Sequence, residues 1–293
     1  MNAVRAPRNR AASIRQRLLD LTRAQKGDFQ GCLDRYAVER LIYRLSVSVA
    51  RERFLLKGAL LFTAWFDVPH RPTRDADFLG LGEPDAEKLA EMVRELCNVV
   101  ADDGLIYDAD SVQVEEIREQ ASYAGLRVTL RATLDNARCH VQLDVGFGDA
   151  VTPGPVEIEL PTLLDDLPRP KLHVYPRETA FAEKLEAMQV LGIANSRMKD
   201  YFDLLMLARE GAMNPESLAE AIRTTFQRRG TPLPETLPLG LSDAFARDVA
   251  KRRQWDAFVR RNQLQAPALD VVIEELGAYV RAPLARARDG AHA

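Results

Sequence analysis

The reading of this chain turns on Lys57-Gly58-Ala59-Leu60-Leu61-Phe62, a short linking segment, and then Arg71-Pro72-Thr73-Arg74-Asp75-Ala76-Asp77-Phe78. An apolar strand candidate, Phe54 to Leu56, runs into the small-residue turn Gly58-Ala59, and the apolar run Leu60 to Phe66 that follows suits a helix. Strand, tight turn and helix start in that order make a phosphate site, because orphan backbone N–H groups and the helix dipole both favour an anion there. If residues 74–79 are extended, Asp75 and Asp77 share a face, since strand side chains alternate with period two. Two carboxylates pointing the same way repel unless water, a cation or a positive side chain offsets them, and Mg²⁺ with hard oxygen ligands is the simplest such partner. Arg71 and Thr73 place a cation and a hydroxyl just ahead of the pair. An isolated D-x-D is also found as a solvated turn, so the rest of the chain has to decide.

At 293 residues, with 46% hydrophobic and 28% charged residues, the sequence suits an ordinary globular protein of one large or two moderate domains. The net charge of −3 gives no overall sign of polyanion binding, so any basic surface is local. Cys32, Cys97 and Cys139 are odd in number and form no CxxC pair, which argues against a disulfide framework or a structural zinc site. No apolar h-region follows the N-terminal arginines and no run approaches the ~18 apolar residues of a membrane span. The expected setting is therefore the reducing cytoplasm, with no membrane partner.

Residues 1–26 carry seven basic residues against the single acid Asp20, a basic arm with a disordered first ten residues and a helix from about Ser13. A longer helix is expected from about Asp28 to Ala50. The arm reads either as a contact for nucleic-acid phosphates or as a solubilising tail. Helical spacing recurs over residues 84–101, and strands are expected at Val112–Ile117, Tyr123–Leu130 and Cys139–Phe147. In the last of these Val141, Leu143, Val145 and Phe147 share one face, which leaves His140, Gln142 and Asp144 on the other. Asp144 is thus a candidate third carboxylate, or a polar residue on a solvated face.

Several prolines mark residues 150–176 as a connector. The following helix, Glu178 to about Leu191, buries Phe181, Lys184, Leu185 and Met188 at i, i+3, i+4 and i+7, which sets a lysine in an apolar stripe. Such a lysine either snorkels to water or finds a negative partner, the carboxylate and phosphate pocket being one. A helix starting near Ser196 carries Arg197-Met198-Lys199-Asp200-Tyr201-Phe202-Asp203, with Lys199 and Asp203 on one face. Residues 244–262 form a further expected helix with six basic residues against two acids, readable as a nucleic-acid surface or a charged outer face. The last ten residues read as disordered.

Taken together, K-G-A-L-L-F, R-P-T-R-D-A-D-F, Asp144 in L-D-V, E-K-L-E-A-M around Lys184 and R-M-K-D-Y-F-D resemble the AbiEii/AbiGii family of nucleotidyltransferase-like toxins. That family lies within the DNA polymerase β-type nucleotidyltransferase superfamily, and the resemblance covers about residues 50–210. It implies an α/β (α+β) architecture, a mixed β-sheet flanked by helices with a helical C-terminal region. The domains expected are 1–50 (basic arm and helices), 51–176 (sheet core) and 177–293 (helical region). It also implies a metal-dependent transferase acting on an NTP, with two Mg²⁺ ions about 4 Å apart. Asp75 and Asp77 then hold metal with Asp144 as third ligand, and Lys57, Gly58, Arg71 and Thr73 bind the nucleotide. Lys184 binds the triphosphate and Asp203 is the essential acid of the last motif. Where the family often has a second glycine this chain has Ala59, whose methyl narrows the turn. The implied acceptor is RNA, the tRNA 3′ end first, and a cognate antitoxin is implied nearby. A small-molecule nucleotidyltransferase or a non-catalytic nucleotide-binding regulator are the alternatives.

Overall fold

The computed structural model describes residues 10–66, 73, 75–119 and 123–290. Its strands are β1 (Phe54–Lys57), β2 (Ala76–Gly80), β3 (Leu105–Glu119), β4 (Tyr123–Leu134), β5 (Ala137–Phe147), β6 (Val156–Glu159) and β7 (Lys171–Val174). They form one seven-stranded mixed sheet in the order β3-β4-β5-β2-β1-β7-β6. Strand β2 lies antiparallel to β1 and parallel to β5, so it stands near the middle with a partner on each side. The helices are α1 (Arg10–Ala24), α2 (Phe29–Ser46), α3 (Phe62–Trp65), α4 (Ala86–Cys97), α5 (Arg177–Leu191), α6 (Met198–Glu210), α7 (Pro215–Arg228), α8 (Asp243–Arg247), α9 (Val249–Arg261) and α10 (Leu269–Asp289). The chain is therefore an α+β protein, a mixed sheet with flanking helices. No described helix is long and apolar enough to cross a membrane.

Two compact units divide the residues: Met1–Gly148 with Glu157–Val174, and Asp149–Val156 with Tyr175–Ala293. In the first, period-two alternation works as the sequence predicts. Cys139, Val141, Leu143 and Val145 are buried, whereas Gln142 and Asp144 are only partly so. Leu41, Ile42 and Leu45 of α2 and Leu89, Met92 and Leu96 of α4 converge on Phe54, Phe78, Leu143 and Val145, which makes one sheet face the core. Helix α2 starts where Asp28 caps it, its carboxylate accepting from Gln30 N and Gly31 N.

Beneath α2 lies a buried ionic cluster. Arg44 forks onto Asp103 at 2.6 and 3.1 Å, Arg40 Nε reaches the same carboxylate at 3.3 Å, and Arg40 Nη1 donates to Pro168 O at 2.8 Å. Nearby Glu39 accepts from Leu163 N at 2.7 Å. Burial is the main influence on Glu39 and pushes its pKa up to about 7 from 4.5. A raised folded value means stability that is complete below pH 4.5 and is lost as pH rises through about 7. Glu39→Gln keeps the acceptor without the charge. It should leave the melting temperature at pH 4.5 unchanged and stabilise the protein by roughly 2–3 kcal/mol at about pH 8, with melting curves at the two pH values as the check.

Several boundaries differ from the sequence expectation. The region 244–262 is two helices, because Asp248 adopts an extended backbone and its side chain caps α9 through Lys251 N. Helix α10 runs to Asp289, into the last ten residues where disorder is expected, because Val280, Leu284 and Ala287 are buried at helical spacing. The apolar run after Gly58 is a 3₁₀ turn and the four-residue α3, not a full helix. The first nine residues lie outside the described region. Of the basic arm, Ile14 and Leu18 of α1 are fully buried, and Arg10 and Arg17 pair with Asp102 and Asp166, so this segment is a brace.

Candidate active site

The site is built on Gly58, between β1 and the 3₁₀ turn. Its φ of 76° and ψ of −158° suit glycine alone, and a Cβ there would collide with the Asp77 carboxylate. Gly58 is thus the floor against which that carboxylate rests. The helix expected to follow this turn is only the four-residue α3, entered through a 3₁₀ turn.

Register then sets the neighbours. Lys57 stands opposite Asp77, Asp77 beside Asp144, Asp144 opposite Arg127, and Arg127 opposite Glu115. Paired residues share a face, so this row of charges crosses the sheet on the side away from α2 and α4. Lys57 is buried at 6% exposure. Asp75, two residues before Asp77, joins the same face, and Thr73 Oγ1 donates to its Oδ1 at 2.7 Å. Asp75, Asp77 and Asp144 each offer an oxygen within 4.8 Å of the others.

Asp144 is held from one side. Arg127 Nε and Nη2 donate to its Oδ1 and Oδ2 at 2.8 and 2.7 Å, and Gln142 Nε2 donates to the same two oxygens at 3.2 and 3.4 Å. The bond to Asp144 in turn raises the pKa of Arg127.

In the second unit, Lys184 of α5 donates from Nζ to Asp200 Oδ1 at 2.9 Å and ion-pairs with Asp203 Oδ2 at 2.9 Å. Both aspartates are fully buried, and Arg197 pairs with the other oxygen of Asp200. Burial raises the pKa of Asp200, but attraction to Lys184 and Arg197 prevails and its net shift is downward. The i, i+4 spacing predicts Asp203 beside Lys199; in the structure Lys199 is exposed and Asp203 faces Lys184.

The sequence matches, over residues 40–280, the family described as nucleotidyl transferase AbiEii toxin, type IV TA system. The chain belongs to the AbiEii family. No curated protein matches it. Two solved structures from Helicobacter pylori are similar: JHP933, at 17% identity over 89% of this chain and 94% of that one, and a putative nucleotidyltransferase, at 15% identity over 94% and 97%. Each superposes with a TM-score of 0.49.

AbiEii membership fixes the class of activity as nucleotidyl transfer within a type IV toxin–antitoxin system, which implies a nucleotide substrate and an antitoxin. Three hard oxygen donors gathered on one face, with no sulfur or imidazole among them, fit a divalent cation such as Mg²⁺. Arg71, expected at the nucleotide, lies outside the described residues. Two residues of these clusters are not evident from the sequence motifs. Alternation gives Arg127 the outward face of its strand, but only the strand register reveals its partner. Asp200 carries a usable signal, since i, i+3 spacing puts it on the face of Asp203, and a core-facing lysine needs an acid.

Proposed function

We propose that this AbiEii-family protein transfers a nucleoside monophosphate from an NTP to an RNA, with the tRNA 3′ end as its acceptor, at a cation site formed by Asp75, Asp77 and Asp144. The observation that carries the reading is the convergence of those three carboxylates on one face of the sheet, within 4.8 Å. Bound divalent cations would supply a lowered pKa for the attacking hydroxyl and charge neutralisation at the phosphate. Gly58 leaves the room in which the Asp77 carboxylate sits, and Thr73 orients Asp75 through its hydroxyl. Lys57 places a positive charge opposite Asp77. Lys184 is assigned to the charge of the β and γ phosphates and Asp203 to holding that lysine.

For the acceptor, α9 offers Arg252, Arg253, Arg260 and Arg261, all exposed. Lys251 does not belong to that surface, being buried with its Nζ on Asn195 O at 2.9 Å. Phosphate contacts of this kind weaken steeply with salt.

The test is incubation of the purified protein with total RNA, Mg²⁺ and each α-³²P-labelled NTP in turn. A labelled band of tRNA size, lost on chelation, is the expected result. Labelling of an aminoglycoside but no RNA would move the acceptor to small molecules. NTP binding without metal-dependent pyrophosphate release would make the protein a regulator.

A further inference from the structure

Asp75 and Asp144 are held differently by the fold. Among the described residues, Asp75 accepts one side-chain bond, from the Thr73 hydroxyl to Oδ1. Asp144, by contrast, receives two bonds on each oxygen, one from the Arg127 fork and one from Gln142. A carboxylate has about four acceptor sites in all, so the bonds in place match its capacity. The stronger two are charge-assisted, parallel and short, the geometry in which arginine binds a carboxylate best. Arg127 is also the positive charge set beside Asp144 in the row, and a second cation arriving there meets its repulsion.

We propose that Arg127 is a positioning residue that locks the third carboxylate: its guanidinium competes with a divalent cation for Asp144, so Asp144 becomes a full ligand only when Arg127 is drawn off it. The inference rests on the metal reading of the three aspartates. The group that draws Arg127 away has to be an anion able to take the same two parallel donors, and the polyphosphate of the incoming NTP has that chemistry. Cation loading at Asp144 is thereby coupled to nucleotide arrival. Arg127 is part-exposed, at 34% of its side chain, so its guanidinium can swing without unpacking the core, whereas Asp144 at 12% stays in place.

The experiment is Mn²⁺ binding to the full chain, read by the free-ion EPR signal at fixed ionic strength and without nucleotide. Arg127→Met should bind Mn²⁺ on the order of tenfold more tightly than the unmodified protein, because a competing charge a few ångströms away is gone. Arg127→Lys, which keeps the charge, should return the affinity close to the original. The double variant Arg127→Met/Asp144→Asn should lose the gain. Adding a non-hydrolysable NTP analogue should tighten Mn²⁺ binding more in the unmodified protein than in Arg127→Met. A purely structural role for Arg127 predicts the opposite sign, weaker binding once Asp144 is no longer held. Unchanged or weaker affinity in Arg127→Met, with an unaltered thermal melt, therefore overturns the lock. Should that variant not fold, Arg127→Gln carries the same test. Mn²⁺ binding by the unmodified protein that Asp75→Asn leaves intact would overturn the metal reading itself, and the lock with it.

Discussion

Asp75→Asn should cut nucleotidyl transfer by about 10³-fold while leaving the protein folded and its melting temperature unchanged or slightly higher. Charge stabilisation by a catalytic cation is worth several kcal/mol, and each 1.36 kcal/mol is a factor of ten in rate. In the proposed site Asp75 is one of three ligands, and the amide has a weaker oxygen donor with no negative charge. The absence of a folding penalty follows from the geometry: without cation the three carboxylates lie within 4.8 Å of one another, so neutralising one relieves repulsion. The amide oxygen introduced by the substitution would still accept from Thr73 Oγ1. Asp77→Asn should lose as much activity and also melt lower than Asp75→Asn, because it removes the negative charge that the strand register sets opposite Lys57, which is 6% exposed. Radiolabelled transfer assays and melting curves on the two variants separate these outcomes. A fully active Asp75→Asn protein would remove the cation site from the mechanism.

How far such a site can be read from sequence depends on which interactions are local. The pairing of Asp75 with Asp77 needs only strand periodicity, and so does the placement of Asp144 on the face opposite Val141, Leu143 and Val145. Gly58 is legible as a turn, but its reason is not. The contact that forbids a side chain comes from Asp77, nineteen positions on, through the β1/β2 register. Arg127 illustrates the same point more sharply: alternation gives its face, while the identity of its partner is fixed by the β4/β5 register. A one-residue slip would pair it elsewhere. Helix ends are set by single caps that composition hides, as where Asp248 separates α8 from α9. At the C-terminus Val280, Leu284 and Ala287 hold the helical period into the residues expected to be disordered.

The second large effect is expected at Lys184, and its physics differs from that of the aspartates. Lys184→Met should destabilise the second unit by roughly 3–5 kcal/mol, the usual cost of removing one partner from a buried ionic group. The reason is specific: Asp200 and Asp203 are both fully buried, and Lys184 Nζ lies 2.9 Å from an oxygen of each. Arg197 remains for Asp200, but Asp203 loses the cation that faces it. The pH dependence has a definite sign. The folded-state pKa of Asp200 lies below its ordinary value of 3.8, so the stability it contributes is present above that value and is lost as pH falls through the lower folded one. In Lys184→Met only the share of this support that Arg197 supplies remains, and the deficit should be largest at neutral pH and shrink as Asp200 becomes protonated. Denaturant unfolding followed by Trp255 fluorescence in a Trp65→Phe background reports on this unit alone, since Trp65 and Trp255 are the protein's two tryptophans and lie in different units. Adding Asp203→Asn should recover part of the loss, because a buried carboxylate that has lost Lys184 costs more than a neutral amide in its place. A Lys184→Met protein as stable as the original would show that the buried aspartates do not depend on it. The consequence for function is that loss of activity or of growth arrest in a Lys184 variant cannot by itself be attributed to phosphate binding. Lys184→Met/Asp203→Asn, compared with Asp203→Asn alone under conditions where both are folded, is the pair that isolates the role of the ammonium in the reaction.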